Sequence, residues 1–340
     1  MTLALRQFDR AAQLTVIPPD GPGILVNPDF SVVAGVPIRP QLRIAFKVEK
    51  SLSPEPNTAS IKVWNLSKQS RDRAAGVVRR TIDFSKPFRF IDERLETQLI
   101  TLGGSAELIT TANGLSYVKL SAGYGAAPAV IFEGNSSSLL SEHRGTDWIT
   151  EIVANDGGLG TQKGIANKAF ESGTPLVEVL KYLVRTMGLV QGTPLVVGSP
   201  TLPVGVANTV PFVNGFVACG RARDVFSALL LSVDVEWFVD DGEVFLLDKD
   251  QTLPQPPVVV SAERDVQGLQ LLSKPRRLES DGVEIRSLLA PPLRLGRRVT
   301  VVSGELAGDY RLESLQAVGD NRRARFATTA QLRSLSPVPF

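Results

Sequence analysis

The 340 residues carry 37 Lys plus Arg against 35 Asp plus Glu, a formal charge of +2, with 43% hydrophobic and 21% charged residues. This is an ordinary globular balance, and it excludes a globally basic nucleic-acid binder or an acidic tail. The single cysteine, Cys219, and the single histidine, His143, exclude a disulfide framework, a zinc finger and a cysteine-ligated iron–sulfur cluster within one chain. The length suggests two or three domains, because single cores stop growing near ~250–300 residues. Residues 1–14 mix Arg6, Asp9 and Arg10 among apolar neighbours, unlike a signal peptide. No run approaches the ~18 apolar residues of a membrane span, so the expectation is a soluble chain with no membrane partner.

The first half reads as β structure. Leu42, Ile44, Phe46 and Val48 alternate with Arg43, Ala45, Lys47 and Glu49, the period of a half-buried strand. After the turn-rich residues 51–57, Ala59, Ile61 and Val63 alternate again. A short helix is predicted over 68–78 with Ser67 as its cap. Strands follow over 99–102, 117–122, 130–133 and 148–153, spaced as in a sandwich or barrel. Trp148 alternates with Thr150 and Ile152, which places its ring in the core of this region. Asp156-Gly157-Gly158 then lets the chain leave the sheet sharply.

The middle changes period. Thr174 is a helix cap and Pro175 a favoured first residue, followed by Leu176, Val179, Leu180, Leu183, Val184 and Met187 at three- and four-residue steps, with Gly188 as the stop. Residues 192–215 read as a long loop. A second helix over 222–232 leads into a hairpin, 235–239 with 243–247, turned by Asp241-Gly242. Residues 251–257, with three prolines, read as a stiff linker. Alternation returns over 283–289, 298–302 and 310–318 and ends with 325–328; Gly308 and Asp309 read as a hairpin turn before a core Tyr310. The predicted fold class is α+β, mainly β: two tube-like barrel or sandwich domains, residues 1–155 and 258–340, flanking a small α+β domain over 156–257.

No catalytic set emerges. His143 sits in the polar stretch Ser141-Glu142-His143-Arg144-Gly145, which reads as an exposed loop before the next strand. Gly157-Gly158-Leu159-Gly160 lacks the Lys-Ser/Thr of a phosphate loop and the third glycine of a dinucleotide fingerprint, so it reads as a turn. Asp240 and Asp241 read as turn formers rather than a general acid and base. The basic clusters are Arg71, Arg73, Arg79 and Arg80; Arg276 and Arg277; Arg294, Arg297 and Arg298; and Arg322, Arg323 and Arg325. They read as solvated faces or protein interfaces, because few aromatic residues lie among them for stacking on a nucleic acid. No catalytic, cofactor-binding or metal-binding residue is assigned, no cofactor is expected, and no sequence-specific nucleic acid is expected as a partner.

Several segments resemble phage tail baseplate hub proteins. Phe46-Lys47-Val48-Glu49-Lys50, followed by Pro56-Asn57-Thr58-Ala59-Ser60-Ile61-Lys62-Val63-Trp64-Asn65-Leu66-Ser67, is similar to the opening strand and turn of that family's first barrel. A second match runs through Ile131-Phe132-Glu133-Gly134 and Gly145-Thr146-Asp147-Trp148-Ile149-Thr150 to Ala154-Asn155-Asp156-Gly157. A third covers Gly282 to Pro291, Gly296, Gly308-Asp309-Tyr310-Arg311 and Gly319-Asp320. The matches fall in the family's order. The resemblance implies a non-enzymatic homotrimer in a virion tail baseplate, made in the host cytoplasm, whose six barrel domains adapt a sixfold tail tube to a threefold central spike. Its partners would be a spike protein on a separate chain, the tail tube protein, the tape-measure protein and baseplate wedge proteins. The same resemblance leaves open the equivalent hub of a contractile injection or type VI-like secretion system, and a tail-associated cell-wall hydrolase.

Overall fold

A computed structural model describes residues 10–19, 22–27, 32–33, 36–37, 41–75, 77–83, 95–102, 105–112, 115–125, 128–196, 199, 201–262, 269–278, 282–302, 304–323 and 325–335. The chain divides into two compact units. The first comprises Met1–Ala45, Ser60–Ala154 and Asp320–Arg323; the second comprises Phe46–Ala59, Asn155–Gly319 and Ala324–Phe340. Strands dominate, and among the described residues no helix is long and apolar enough to cross a membrane. The mainly β, α+β class is observed; among the described residues the sheets are open and largely antiparallel rather than closed barrels, with parallel pairing at Val258–Ser261.

In the first unit, neighbouring strands run in the order Thr58–Trp64, Asp147–Asn155, Ala129–Arg144, Tyr117–Tyr124, Arg10–Ile17 and Ile24–Val26. Arg10–Ile17 pairs antiparallel with Tyr117–Tyr124 along its whole length, from Arg10 opposite Tyr124 to Ile17 opposite Tyr117. The period of two sorts the side chains: Leu14, Val16, Ile61, Val63, Val118, Leu120, Phe132 and Ile152 are all buried. A separate three-stranded antiparallel sheet has Ser105–Ala112 in its middle, between Val77–Asp83 and Leu95–Leu102. The predicted 68–78 helix is shorter, Lys68–Ala74, with Ser67 Oγ accepting from the Ser70 amide at 3.1 Å. It gives way to a strand at Val77, where a β-branched pair, Val77-Val78, takes over.

The second unit contains the predicted α+β region. The helix Leu176–Thr186 buries Leu176, Val177, Val179, Leu180, Leu183 and Val184 against Phe226 and Leu230 of the helix Ala222–Leu231. The cap differs from expectation: Pro175 occupies the N-cap, while Thr174 bridges to Phe212 and donates from Oγ1 to the Glu171 carbonyl. Gly188 ends the helix at φ +66°. The hairpin Val235–Asp240 with Glu243–Asp248 forms as predicted, and both turn residues, Asp241 (φ +54°) and Gly242 (φ +83°), take the left-handed angles of a two-residue turn. The expected loop over 192–215 contains a short helix, Val204–Ala207, whose first amides, Val204 and Gly205, donate to Asp248.

Residues 251–257 are docked rather than a free linker. Leu253 is buried and its amide donates to Gly296, while the Pro256 carbonyl accepts from the Arg297 guanidinium. The remaining strands of this unit include Val258–Ser261, Gly282–Leu288, Arg298–Val302, Gly308–Asp320 and Phe326–Ser334. Tyr310 is buried as expected, but Gly308 and Asp309 belong to the strand itself, and the preceding bend is a 3-10 turn at Gly304–Leu306. Gly157-Gly158-Leu159-Gly160 is also corrected. Gly157, at φ +76°, caps a helix, Gly158–Lys163. A side chain at Gly160 would start 1.9 Å from the Met187 carbonyl oxygen, so close backbone packing explains this glycine.

Candidate functional site: a buried charged clasp and an exposed aromatic patch

The second unit holds a charged clasp that begins with one parity argument. In Ile44–Ser51 the buried positions are Ile44, Phe46, Val48 and Lys50, so the alternation drives an ammonium inward. There it meets the hairpin tip. Lys50 Nζ donates to Asp240 and, at 2.8 Å, to Asp241, and all three side chains are largely shielded from water. Asp156, wholly buried at the exit of Asp147–Asn155, accepts the Asp241 and Gly242 amides at 2.6 Å each. Those turn amides have no partner within the two-residue hairpin, and one carboxylate satisfies both. Asn57 completes the clasp by donating to the Val239 carbonyl at 2.7 Å and to Asp156 at 3.3 Å.

Carboxylate oxygens of Asp156, Asp240 and Asp241 lie within 4.8 Å of one another, a spacing that could hold a metal ion. Here Lys50 supplies the positive charge, with Arg294 at 3.7 Å from Asp241 on the outer side. Burial pushes the Asp156 carboxyl up to about 6; Lys50 opposes the rise, and the Asp240 and Asp241 charges add to it. Burial likewise raises Asp240 against the pull of Lys50. Burial alone would lower Lys50, but the two aspartates hold its ammonium above the ordinary lysine value.

Asp156 therefore gives a pH dependence opposite to that of most carboxylates. Its folded-state value, about 6, lies above the ordinary 3.8, so the folded chain holds a proton that the unfolded chain releases. The stabilisation is full below about pH 4 and lost as pH rises through about 6; the gap amounts to ~3 kcal/mol. Urea titrations of wild type and Asp156→Asn between pH 4 and 7.5 should show the wild type losing stability relative to the variant as pH rises. Parallel profiles would mean that Asp156 stays ionised throughout.

A second buried cation lies in the same unit. Arg311 is fully buried, with its guanidinium 2.8 Å from Glu236, 2.7 Å from Glu313 and 3.3 Å from the Gln251 carbonyl. Both cations tie separate stretches of the unit together through charge-assisted bonds.

The first unit presents a different feature. Trp148 is 39% exposed, not in the core as predicted. It is the second residue of its strand, beyond the point where Thr150 and Ile152 enter the core, and Arg71 covers its ring at 3.7 Å. His143 is not in a loop but near the end of Ala129–Arg144, exposed, with its ring 5.2 Å from Trp148. Asn65, at φ +57°, accepts the Trp148 amide and donates to Asp147, so the Asn-Leu-Ser turn pins this hairpin end.

The other sequence candidates are dispersed. Asp241 does form the turn, with Gly242, while Asp240 ends the strand before it; both also hold Lys50, a pairing that periodicity does not reveal. Arg79 and Arg80 lie on Val77–Asp83, where side chains are outside the described residues. Arg276 pairs with Glu284, Arg298 with Asp309, and Arg297 bonds the Pro256 and Pro292 carbonyls. Arg322 bonds the Gln41 carbonyl, and the Arg323 amide donates to Asp320. Arg73, Arg277 and Arg325 are exposed.

No protein-family model matches the sequence, and no curated protein matches it. Solved structures do. A tail protein from Neisseria meningitidis MC58 superposes with a TM-score of 0.53 at 8% identity, over 95% of this chain and 97% of that one. The 43 kDa tail protein of prophage MuSo2 from Shewanella oneidensis matches with a TM-score of 0.53 at 8% identity, over 96% and 97%. The chain has the fold of phage tail proteins. An E. coli component of the type VI secretion system, described as structurally similar to the T4 bacteriophage tail proteins gp27 and gp5, shares it with a TM-score of 0.52 at 8% identity, over 87% of this chain and 74% of that one.

Proposed function

We propose that the chain is a non-catalytic structural subunit of a tail baseplate, located in the virion tail. The supporting observation is end-to-end likeness: the fold matches two tail proteins over at least 95% of both partners, leaving no large part of the fold outside the match. In this reading three copies form a ring that joins a sixfold tail tube to a threefold spike carried on another chain. The tube, tape-measure and wedge proteins are the further partners. Its buried charges serve rigidity, since each is spent on neighbours within the fold. The likeness to a type VI secretion component favours a second reading, the same structural place in a secretion machine.

Native mass spectrometry of the purified chain tests the ring. Three copies of 36.6 kDa give about 110 kDa, 3 × 36.6, as closed homo-oligomers require a fixed stoichiometry. Particle reconstruction should then place three copies at the end of the tail tube. The free chain can also stay monomeric until a spike or tube ring templates it, because ring closure costs association entropy, so the particle decides: a ring of six copies there overturns the trimeric hub.

A further inference from the structure

The strands Ile165–Phe170 and Phe216–Arg221 form a two-stranded ribbon of their own in the second unit, antiparallel from Ile165 opposite Arg221 to Phe170 opposite Phe216. Its inner face is closed: Ala166 and Ala218 are wholly buried in the same apolar core as the helices Leu176–Thr186 and Ala222–Leu231. The outer face carries the alternate positions, Ile165, Asn167 and Ala169 on one strand with Arg221, Cys219 and Val217 opposite them, and all six are exposed. Ile165 and Val217 stand 63% and 66% open to solvent, where a half-buried sheet ordinarily turns polar residues outward.

The direction of the backbone groups is fixed at two points. The Asn167 amide donates to the Tyr182 hydroxyl at 3.2 Å, so it turns away from Cys219 opposite it. At the ribbon's end the Ala222 amide donates to the Gly164 carbonyl at 2.9 Å, which sets the same alternation. Ile165 with Arg221, Asn167 with Cys219 and Ala169 with Val217 are therefore non-hydrogen-bonded pairs. Tyr182 meets the edge of the first strand. The amides and carbonyls of Val217, Cys219 and Arg221 point to the other edge, beside which no described strand lies.

Charge gives the ribbon a sign. Residues 163–170 and 216–221 include Lys163, Lys168 and Arg221 and no aspartate or glutamate. Among the described residues none of these three cations has a carboxylate partner, and Lys168 lies over the Phe170 ring at 4.9 Å. By contrast Arg223, Arg276 and Arg298 of the same unit pair with Glu55, Glu284 and Asp309.

We propose that the open edge of Phe216–Arg221 is a docking site for an extended, acidic segment of another protein. Such a segment adds a third strand: its backbone pairs with Val217, Cys219 and Arg221, and its side chains line up beside theirs on the outer face. Val217 and Arg221 are four residues apart on that face, so the segment presents an apolar residue to the first and a carboxylate to the second at the same spacing. The ribbon of a second copy is the poorer occupant, because it brings three further cations and no carboxylate to answer them. The site does not depend on how many copies a ring contains.

Two labelled nine-residue threonine peptides test it on the full chain. One carries valine and glutamate four positions apart; the other has lysine in place of the glutamate. Fluorescence anisotropy should show saturable binding of the glutamate peptide, favoured by about tenfold at low ionic strength and less with added salt. Arg221→Glu should reverse the preference. Cys219→Pro, which removes an outward-facing donor, should abolish binding of both peptides with circular dichroism retained. On the wild type, the outward amides of Val217 and Cys219 should gain protection from hydrogen exchange when the glutamate peptide saturates, a readout that stands even if Cys219→Pro does not fold. No saturable binding, equal binding of the two peptides, or unchanged exchange at saturation overturns the proposal. Protection that grows with protein concentration in the absence of peptide makes a second copy the occupant and overturns it as well.

Discussion

Lys50→Met should lower the unfolding free energy at pH 7 by ~3–5 kcal/mol, the cost of stripping one partner from a buried ion cluster. The substitution keeps the length and apolar volume of the stem but leaves Asp240 and Asp241 facing each other out of water beside Asp156. Against a net stability of ~5–15 kcal/mol this is a large fraction. Asp156 and Asp240, whose carboxyls burial already pushes up, can escape the penalty only by taking up protons, so the deficit should shrink as pH falls from 7 to 5. Urea unfolding of both proteins at the two pH values measures it. A deficit under ~1 kcal/mol at pH 7 would show that Asp240 is already protonated in the wild type.

Arg311→Met is the second large expectation, at ~3 kcal/mol, the lower end for a broken buried pair. Its partners Glu236 and Glu313 keep 35% and 28% side-chain exposure, so water can partly replace the guanidinium. The Gln251 carbonyl loses its contact as well. Adding Glu236→Leu should return much of the loss, because an apolar pair of similar volume often equals or exceeds a buried ion pair. A double variant no better than the single one would place the cost on Glu313 or Gln251. Thermal and urea unfolding of the three proteins give the coupling directly.

These two cations also show how far periodicity reads this fold. Alternation alone puts Lys50 on the buried side of Ile44–Ser51, continuous with Phe46 and Val48, so its burial was legible while its partners were not. Asp156 and Asp240 are 84 positions apart, and nothing local pairs them. Arg311 was illegible for a different reason. Tyr310, Arg311 and Leu312 are buried in succession, next to a register shift between Leu312 and Ser314 that breaks the period of two. Trp148 failed in the opposite sense: it has the right parity for the core but sits where the core stops, and strand ends are the least certain boundary in any pattern. The helices Leu176–Thr186 and Ala222–Leu231 and the Asp-Gly hairpin were legible because their signals are local.

Each compact unit is assembled from three separate pieces of chain, and both need residues beyond Gly319. The first unit takes in Asp320–Arg323, where Asp320 clamps Arg43 through a two-pronged pair and the Asn321 side chain accepts the Ile44 amide. The second takes in the final strand, whose Phe326, Ala330 and Leu332 are core residues. A ribosome that has made this chain as far as Gly319 has therefore finished neither unit. Folding during synthesis cannot proceed unit by unit from the N-terminus, as it does in chains of consecutive domains. The nascent chain must carry unpaired strands until the last segments emerge, which makes a premature stop or a slow terminal stretch far more damaging here than in a chain whose domains close one after another.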